Sequence, residues 1–220
     1  MRRDWRGRDL TGRDFTGAFL DNTDMSNGRL YRAVFHKCSL REAVLCGCDL
    51  RNAELDDADL RRADLRSANL TGASLCETNL DEANLLDAIL VRANLWSAQL
   101  NGADLSRTNL TAANLTESKL RGVSLREATL TGANFEAASL VRADLRGADL
   151  AGASLSGADL GRADLRGANL ANVDLSDAYL VNALLDVSSL NDTDLSGATM
   201  PDGSVHQRLV AELEIVPDGY

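Results

Sequence analysis

Ala63-Asp64-Leu65-Arg66-Ser67-Ala68-Asn69-Leu70 contains one five-residue unit and the start of the next: a small residue, Asp or Asn, Leu, then two variable residues. The unit runs in both directions from there. Every position divisible by five, from Trp5 to Met200, is Leu, Phe, Met or Trp, and 34 of these 40 positions are Leu. No insertion interrupts the run, so the period is a property of the fold and is read before any local pattern. Two residues before the large one, from Ala18 to Ala198, lies a small residue or Val, and 26 of these 37 are Ala.

A period of five excludes the two regular backbones. On a helix, Leu every fifth residue spirals around the axis and makes no stripe. On a continuous strand, successive Leu side chains alternate between faces. The pattern works only if the chain turns a corner once per unit. The small residue and the Leu, two apart, then point inward, and the residues between and after them point outward. Gly falls on the second residue after the large one in 13 of its 17 occurrences, which suits a turn residue with positive φ. Pro, which lacks a ladder donor, occurs only at Pro201 and Pro217, beyond the repeats. Four corners close a 20-residue coil, and ten such coils stacked at strand spacing would form a rod about 45 Å long.

Runs such as Ala93-Asn94-Leu95 and Ala148-Asp149-Leu150 resemble the consensus of the pentapeptide-repeat family, Ala-(Asp/Asn)-Leu-x-x, over residues 3 to 202. The resemblance implies an all-β fold, a right-handed quadrilateral β-helix of about ten coils. Residues 1–202 are read as that solenoid and 203–220 as a C-terminal helical cap or dimerisation tail.

A solenoid needs protected ends. Arg3, Arg8 and Arg13 occupy small inner positions, so Met1 to about Asp14 is expected to be a frayed or capping first coil. At the other end, Ser204 and Gln207 fit a capping box. Val205, Leu209, Leu213 and Val216 follow at near-helical spacing, predicting a short helix over about 205–214. Its expected seat is Tyr179, Val181, Leu184 and Val187. It either closes its own rod, leaving a monomer, or joins two rods as a homodimer.

The chain has 23 Lys and Arg against 33 Asp and Glu, a net charge of −10, which argues against direct nucleic-acid binding. Summing outward charge over residues 20 apart defines four faces, which we number one to four from Trp5, Leu10, Phe15 and Leu20. The first sums to −3, the second and fourth to zero, and the third to −9. The acids of the third face are Asp14, Glu54, Asp56, Asp57, Glu77, Glu117, Glu136, Asp174, Asp177 and Asp194, opposed by Lys37. Trp96 lies on the same face at mid-height. This acidic face, with Trp96 as an aromatic anchor, is the candidate site for a protein partner. Leu86, Ile89 and Val91 with Trp96 form a second candidate patch on the fifth coil.

No enzyme is expected, and no metal or cofactor. Cys46 is expected to point outward and Cys48 inward, and His36 and His206 have no zinc-ligand spacing around them. No segment reaches the roughly 18 apolar residues of a membrane span, and the first residues, Met1 to Arg6, hold no hydrophobic signal region, so a cytoplasmic protein is expected. The resemblance implies two functions. One is a non-catalytic protein–protein interaction module. The other, implied by the quinolone-resistance and toxin-immunity branches, is a DNA mimic acting on DNA gyrase or topoisomerase IV. A duplex carries one charge per ~1.7 Å, so this rod would be a dilute copy of it. A purely structural rod is the third reading.

Overall fold

The computed structural model describes residues 3–186, 190 and 192–206. The residue before each large one forms a parallel bridge with the residue 20 further on, from Asp4↔Asp24 without a break to Asp164↔Leu184, and again at Asp174↔Asp194 and Tyr179↔Thr199. One coil is therefore 20 residues with four sides, as the spacing requires. Every fifth residue from Leu20 to Leu180 is at most 2% exposed, so the interior is one continuous column of Leu, Phe135, Phe35 and Met25. The small residues fill the space between them.

Each unit has a bridge residue, a central residue, two turn residues and a small residue. Four of its five N–H groups are held by backbone. Taking Asp49 to Ala53 as the example, Asp49 donates to Gly28 O, Leu50 to Asn69 O, Asn52 to Thr71 O and Ala53 to Leu50 O, at 2.8–3.0 Å. The last bond closes a turn with positive φ at its third residue, the hallmark of a type II turn. That positive φ recurs at every fifth residue from Gly7 to Asn182, and 24 of these residues are not Gly. Gly is thus preferred at the corner without being required, because the ladder on both sides over-determines the conformation.

The fifth N–H, on the first turn residue, is left out of the ladder, and this explains the Asp/Asn in the repeat. Thr71 N–H donates to Asn69 Oδ1 at 3.0 Å, Ser106 to Asp104 Oδ1 at 3.0 Å and Glu136 to Asn134 Oδ1 at 2.9 Å. Where Ser, Gln or Lys stands at the bridge position, the same N–H can be taken by the coil before. Arg41 N–H donates to Asp21, Cys76 to Asp56, Asn101 to Asp81 and Arg121 to Asn101. Most polar residues at the small position are likewise satisfied by backbone: Cys38 and Cys48 thiols donate to Phe15 O and Met25 O, and Thr78 Oγ1 to Leu55 O, whereas the buried Thr23 hydroxyl has no partner among the described residues. Burial pushes the Cys48 thiol up to about 12, so it stays protonated.

The ends settle one expectation and correct another. Of the two readings of the first coil, frayed or capping, it is the paired, capping one, since Asp4, Asp9, Asp14 and Phe19 all bridge to the second coil. Arg3 Nη1 donates to Phe19 O at 3.0 Å, taking an acceptor that a preceding coil would otherwise use. Arg8 and Arg13 are exposed on this edge, where inner-position charge discourages a further coil from adding. Trp5 and Phe15 pack at 5.6 Å and Phe15 stacks on Phe35 at 5.1 Å, so aromatics close the top of the Leu column. At the other end the expected helix does not begin at Val205. Val205 pairs antiparallel with Thr199, and Met200 N–H donates to Ser204 O, making a reversal rather than a helical turn. Ser204 Oγ donates to Asp202 instead of capping a helix. Leu209, Leu213 and Val216, with Gln207, lie outside the described residues.

Candidate interaction faces

The third face exists as a surface. Its bridge residues form one column, Asp14, Val34, Glu54, Ser74, Asn94, Asn114, Asn134, Ser154, Asp174 and Asp194, each paired with the next. Asp56 and Glu136 sit beside that column as first turn residues, and Asp57, Glu77, Glu117 and Asp177 as second turn residues. All ten acids and Trp96 therefore share one side of the rod.

The acids divide by what they already hold. Asp14 Oδ1 accepts from the Thr16 N–H at 2.8 Å and its hydroxyl at 2.6 Å, which holds its carboxyl below the usual range. Asp174 and Asp194 accept the Ser176 and Ser196 N–H groups, each at 2.9 Å. Asp56 accepts from Cys76 N–H at 2.8 Å and from the Ser74 hydroxyl. Glu54 Oε2 lies 2.8 Å from His36 Nε2. By contrast, Asp57, Glu77, Glu117, Asp177 and Glu136 make no side-chain hydrogen bond or ion pair among the described residues. The first four are second turn residues, with positive φ. Trp96 lies one coil below Cys76, is 38% exposed, and donates its N–H to Asn94 Oδ1 at 3.3 Å.

The second candidate patch does not form a surface. Leu86, Ile89 and Val91, and Trp96 fall on the first, second and third faces, so they point in three directions around one coil. Of the expected helix seat, Tyr179 is 46% and Leu184 50% exposed, on the fourth and first faces, and Val187 lies outside the described residues. Cys46 is partly exposed and Cys48 buried, as the register requires.

Sequence reasoning missed a pairing rule among the arginines. Six of them, as first turn residues, each pair with the Asp two residues before: Arg6–Asp4, Arg51–Asp49, Arg61–Asp59, Arg66–Asp64, Arg146–Asp144 and Arg166–Asp164, at 2.6–2.8 Å. Second turn residues pair along the rod, Arg62 with Glu82 at 2.7 Å and Arg107 with Asp87 at 2.8 Å. The signal was present in the recurring Asp-Leu-Arg triplet.

Among the described residues no group of three or more His, Cys, Asp or Glu could hold a metal ion, and no helix is long and apolar enough to cross a membrane.

Comparison with known proteins places these features in a lineage. Eight copies of a family model described as "Pentapeptide repeats" match, in segments running from 29–66 to 168–202. The solved structure of HetL, a pentapeptide repeat protein involved in heterocyst differentiation regulation in the cyanobacterium Nostoc sp. strain PCC 7120, is 41% identical. The match covers 93% of this chain and 92% of that one, with a TM-score of 0.63. A trypsin-treated QnrB1, a plasmid-mediated fluoroquinolone resistance protein, matches at 21% identity over 86% of this chain and 91% of its own, with a TM-score of 0.46. No curated protein matches the sequence.

Proposed function

The chain belongs to the pentapeptide-repeat family, whose solved members are right-handed β-helices, and from that premise we propose that it is a non-catalytic interaction module that binds a basic protein segment along its third face. The observation that carries this reading is the row of acids the fold leaves unengaged, Asp57, Glu77, Glu117, Asp177 and Glu136, beside a partly exposed Trp96. A charge with no internal partner keeps its full attraction for an outside cation, and a neighbouring aromatic supplies apolar contact area. Asp14, Glu54, Asp56, Asp174 and Asp194 contribute field to the same face while serving the fold or His36.

The same division weakens the DNA-mimic alternative. A mimic of duplex phosphates needs dense, regular anionic charge. Here about half the acids of the face are tied to backbone, hydroxyl or imidazole groups. The test is affinity for a Lys- and Trp-containing extended peptide, with supercoiling by DNA gyrase measured in parallel. The module reading expects binding by the wild type and loss in Asp57→Lys/Glu77→Lys/Glu117→Lys, with supercoiling unchanged. Equal binding by the reversed variant overturns it, and inhibition of supercoiling that the reversal abolishes replaces it with the mimic.

A further inference from the structure

The pairing rule fails at three arginines, and two of them find an acid on the next coil instead: Arg41, after Ser39, pairs with Asp59, and Arg126, after Ser124, with Asp144. At Lys119-Leu120-Arg121 the bridge position carries Lys, and the place on the next coil that serves Arg41 and Arg126 with Asp is Ser139. The next coils add Arg142 and Arg162, second turn residues stacked about 4.8 Å apart on the rod axis. The positions above and below them are Gly122 and Asn182, so no acid adjoins them in that column, in contrast to Arg62–Glu82 further along the same column and to Arg107–Asp87. None of Lys119, Arg121, Arg142 and Arg162 makes an ion pair or side-chain hydrogen bond among the described residues. All four lie on the fourth face. One acid, Asp159, shares the stretch, and its Oδ1 accepts from Gly161 N–H at 2.9 Å.

The surface there is also shaped. A shallow groove is lined by Arg121, Arg142 and Arg162 together with Val141, Tyr179 and Val181, with Asp159 the one acid in its wall. The Tyr179 ring leans over Gly161, which is buried beneath it, and a methyl group at Gly161 would lie 3.5 Å from that ring. Cations over three coils, followed on the fourth by the exposed Tyr179 and the half-buried Val181, describe a ligand with carboxylates followed by an apolar side chain.

We propose that this groove is a docking site for a short, extended acidic peptide of a partner protein. The length follows from the stack. From Arg121 to Val181 is three coil steps, about 15 Å, which an extended chain covers in four to five residues at ~3.3 Å each. Carboxylates on alternate residues of such a strand fall about 6.6 Å apart, within reach of the long arginine side chains. A long polyanion fits less well, because beyond the patch it would run along a chain of net charge −10. The site is independent of the third face and asks for the opposite charge in its ligand.

The probe is a fluorescein-labelled hexapeptide, Glu-Leu-Glu-Val-Glu-Tyr, titrated with the full chain by fluorescence polarisation. Saturable binding is expected, weakened at least tenfold in Arg142→Glu/Arg162→Glu and by raising salt from 50 to 200 mM, and altered less than twofold in Asp57→Lys/Glu77→Lys. Tyr179→Ala, which leaves every charge in place, should weaken it severalfold, and superimposable circular dichroism and melting curves certify that the variants fold. No saturation up to 1 mM, or equal affinity in the double arginine variant, overturns the proposal. Displacement by inorganic phosphate or a single-stranded oligonucleotide at the peptide's own concentration also overturns it, by reducing the groove to a general anion trap. Binding that appears only when residues 207–220, which carry Glu212, Glu214 and Asp218, are removed overturns the partner assignment in favour of the chain's own terminus.

Discussion

The acidic third face and the cationic stretch of the fourth face both look, in sequence, like unbalanced charge. They differ in what the fold has done with it. On the third face Asp14, Asp56, Asp174 and Asp194 complete a backbone that the ladder leaves one hydrogen bond short in every unit. On the fourth, the four cations from Lys119 to Arg162 donate no side-chain hydrogen bond among the described residues. In a repeat whose consensus residue is itself an acid, net charge per face overstates what is available to a partner. The informative quantity is the charge that remains after the groups used by the backbone are set aside.

The largest effect that tests this division is on stability. Asp56→Ala removes the acceptor of the Cys76 N–H and of the Ser74 hydroxyl and should cost about 1–2 kcal/mol. Asp57→Ala, one residue on and without a partner, should stay within about 0.5 kcal/mol of wild type. Urea denaturation of the two variants side by side reads the difference. Equal costs would mean that the two kinds of acid are not distinct.

An effect confined to acid follows from Asp59. Arg61, and after it Arg41, holds its carboxyl down to about 2 against the opposing influence of burial. The unfolded chain, with its carboxyl near 3.9, binds the proton first, so stability rises with pH across this window. The contribution of Asp59 is complete above about pH 4 and is lost as pH falls through about 2. Asp59→Asn should flatten the stability curve between those values and leave its slope from pH 5 to 7 unchanged. Denaturation midpoints taken at half-unit steps of pH would show it.

Much of this molecule was legible in its period. The corner once per unit, the inward small and large residues and the outward remainder follow from a spacing of five, and the Leu column from Leu20 to Leu180 is as buried as that argument demands. The use of Asp and Asn was not legible, because periodicity does not say which N–H the ladder omits. Nor were the 24 corners where Asn, Arg, Glu, Asp, Lys, Ser and Ala adopt positive φ, since residue type alone argues against most of them. The ends were legible only in part, for a related reason. Arg at inner positions left a frayed and a capping coil open, and Arg3 supplies a donor to a carbonyl the missing neighbour would have satisfied. Ser204 and Gln207 matched a helix-start pattern that Ser204 satisfies with Asp202 in a tight reversal.

Lys119→Asp is the smallest change and the most direct probe of the comparison, because it restores at Arg121 the pairing that six other arginines have. The new carboxylate would stand two residues before the guanidinium, as Asp64 stands to Arg66. Little stability should come of it: Asn101 already accepts the Arg121 N–H at 3.1 Å, and an exposed ion pair adds only about 0.2–1 kcal/mol. The expected result is a melting temperature equal to or slightly above wild type, together with at least a fivefold loss of acidic-peptide binding. Six first-turn arginines take the Asp two residues before them and Arg41 and Arg126 take one from the next coil, so Arg121 stands apart in having neither, as a site kept for an outside ligand requires. If Lys119→Asp binds the peptide as wild type does, the departure at residue 119 is a neutral variation in the repeat and the fourth face is no different in kind from the rest of the rod.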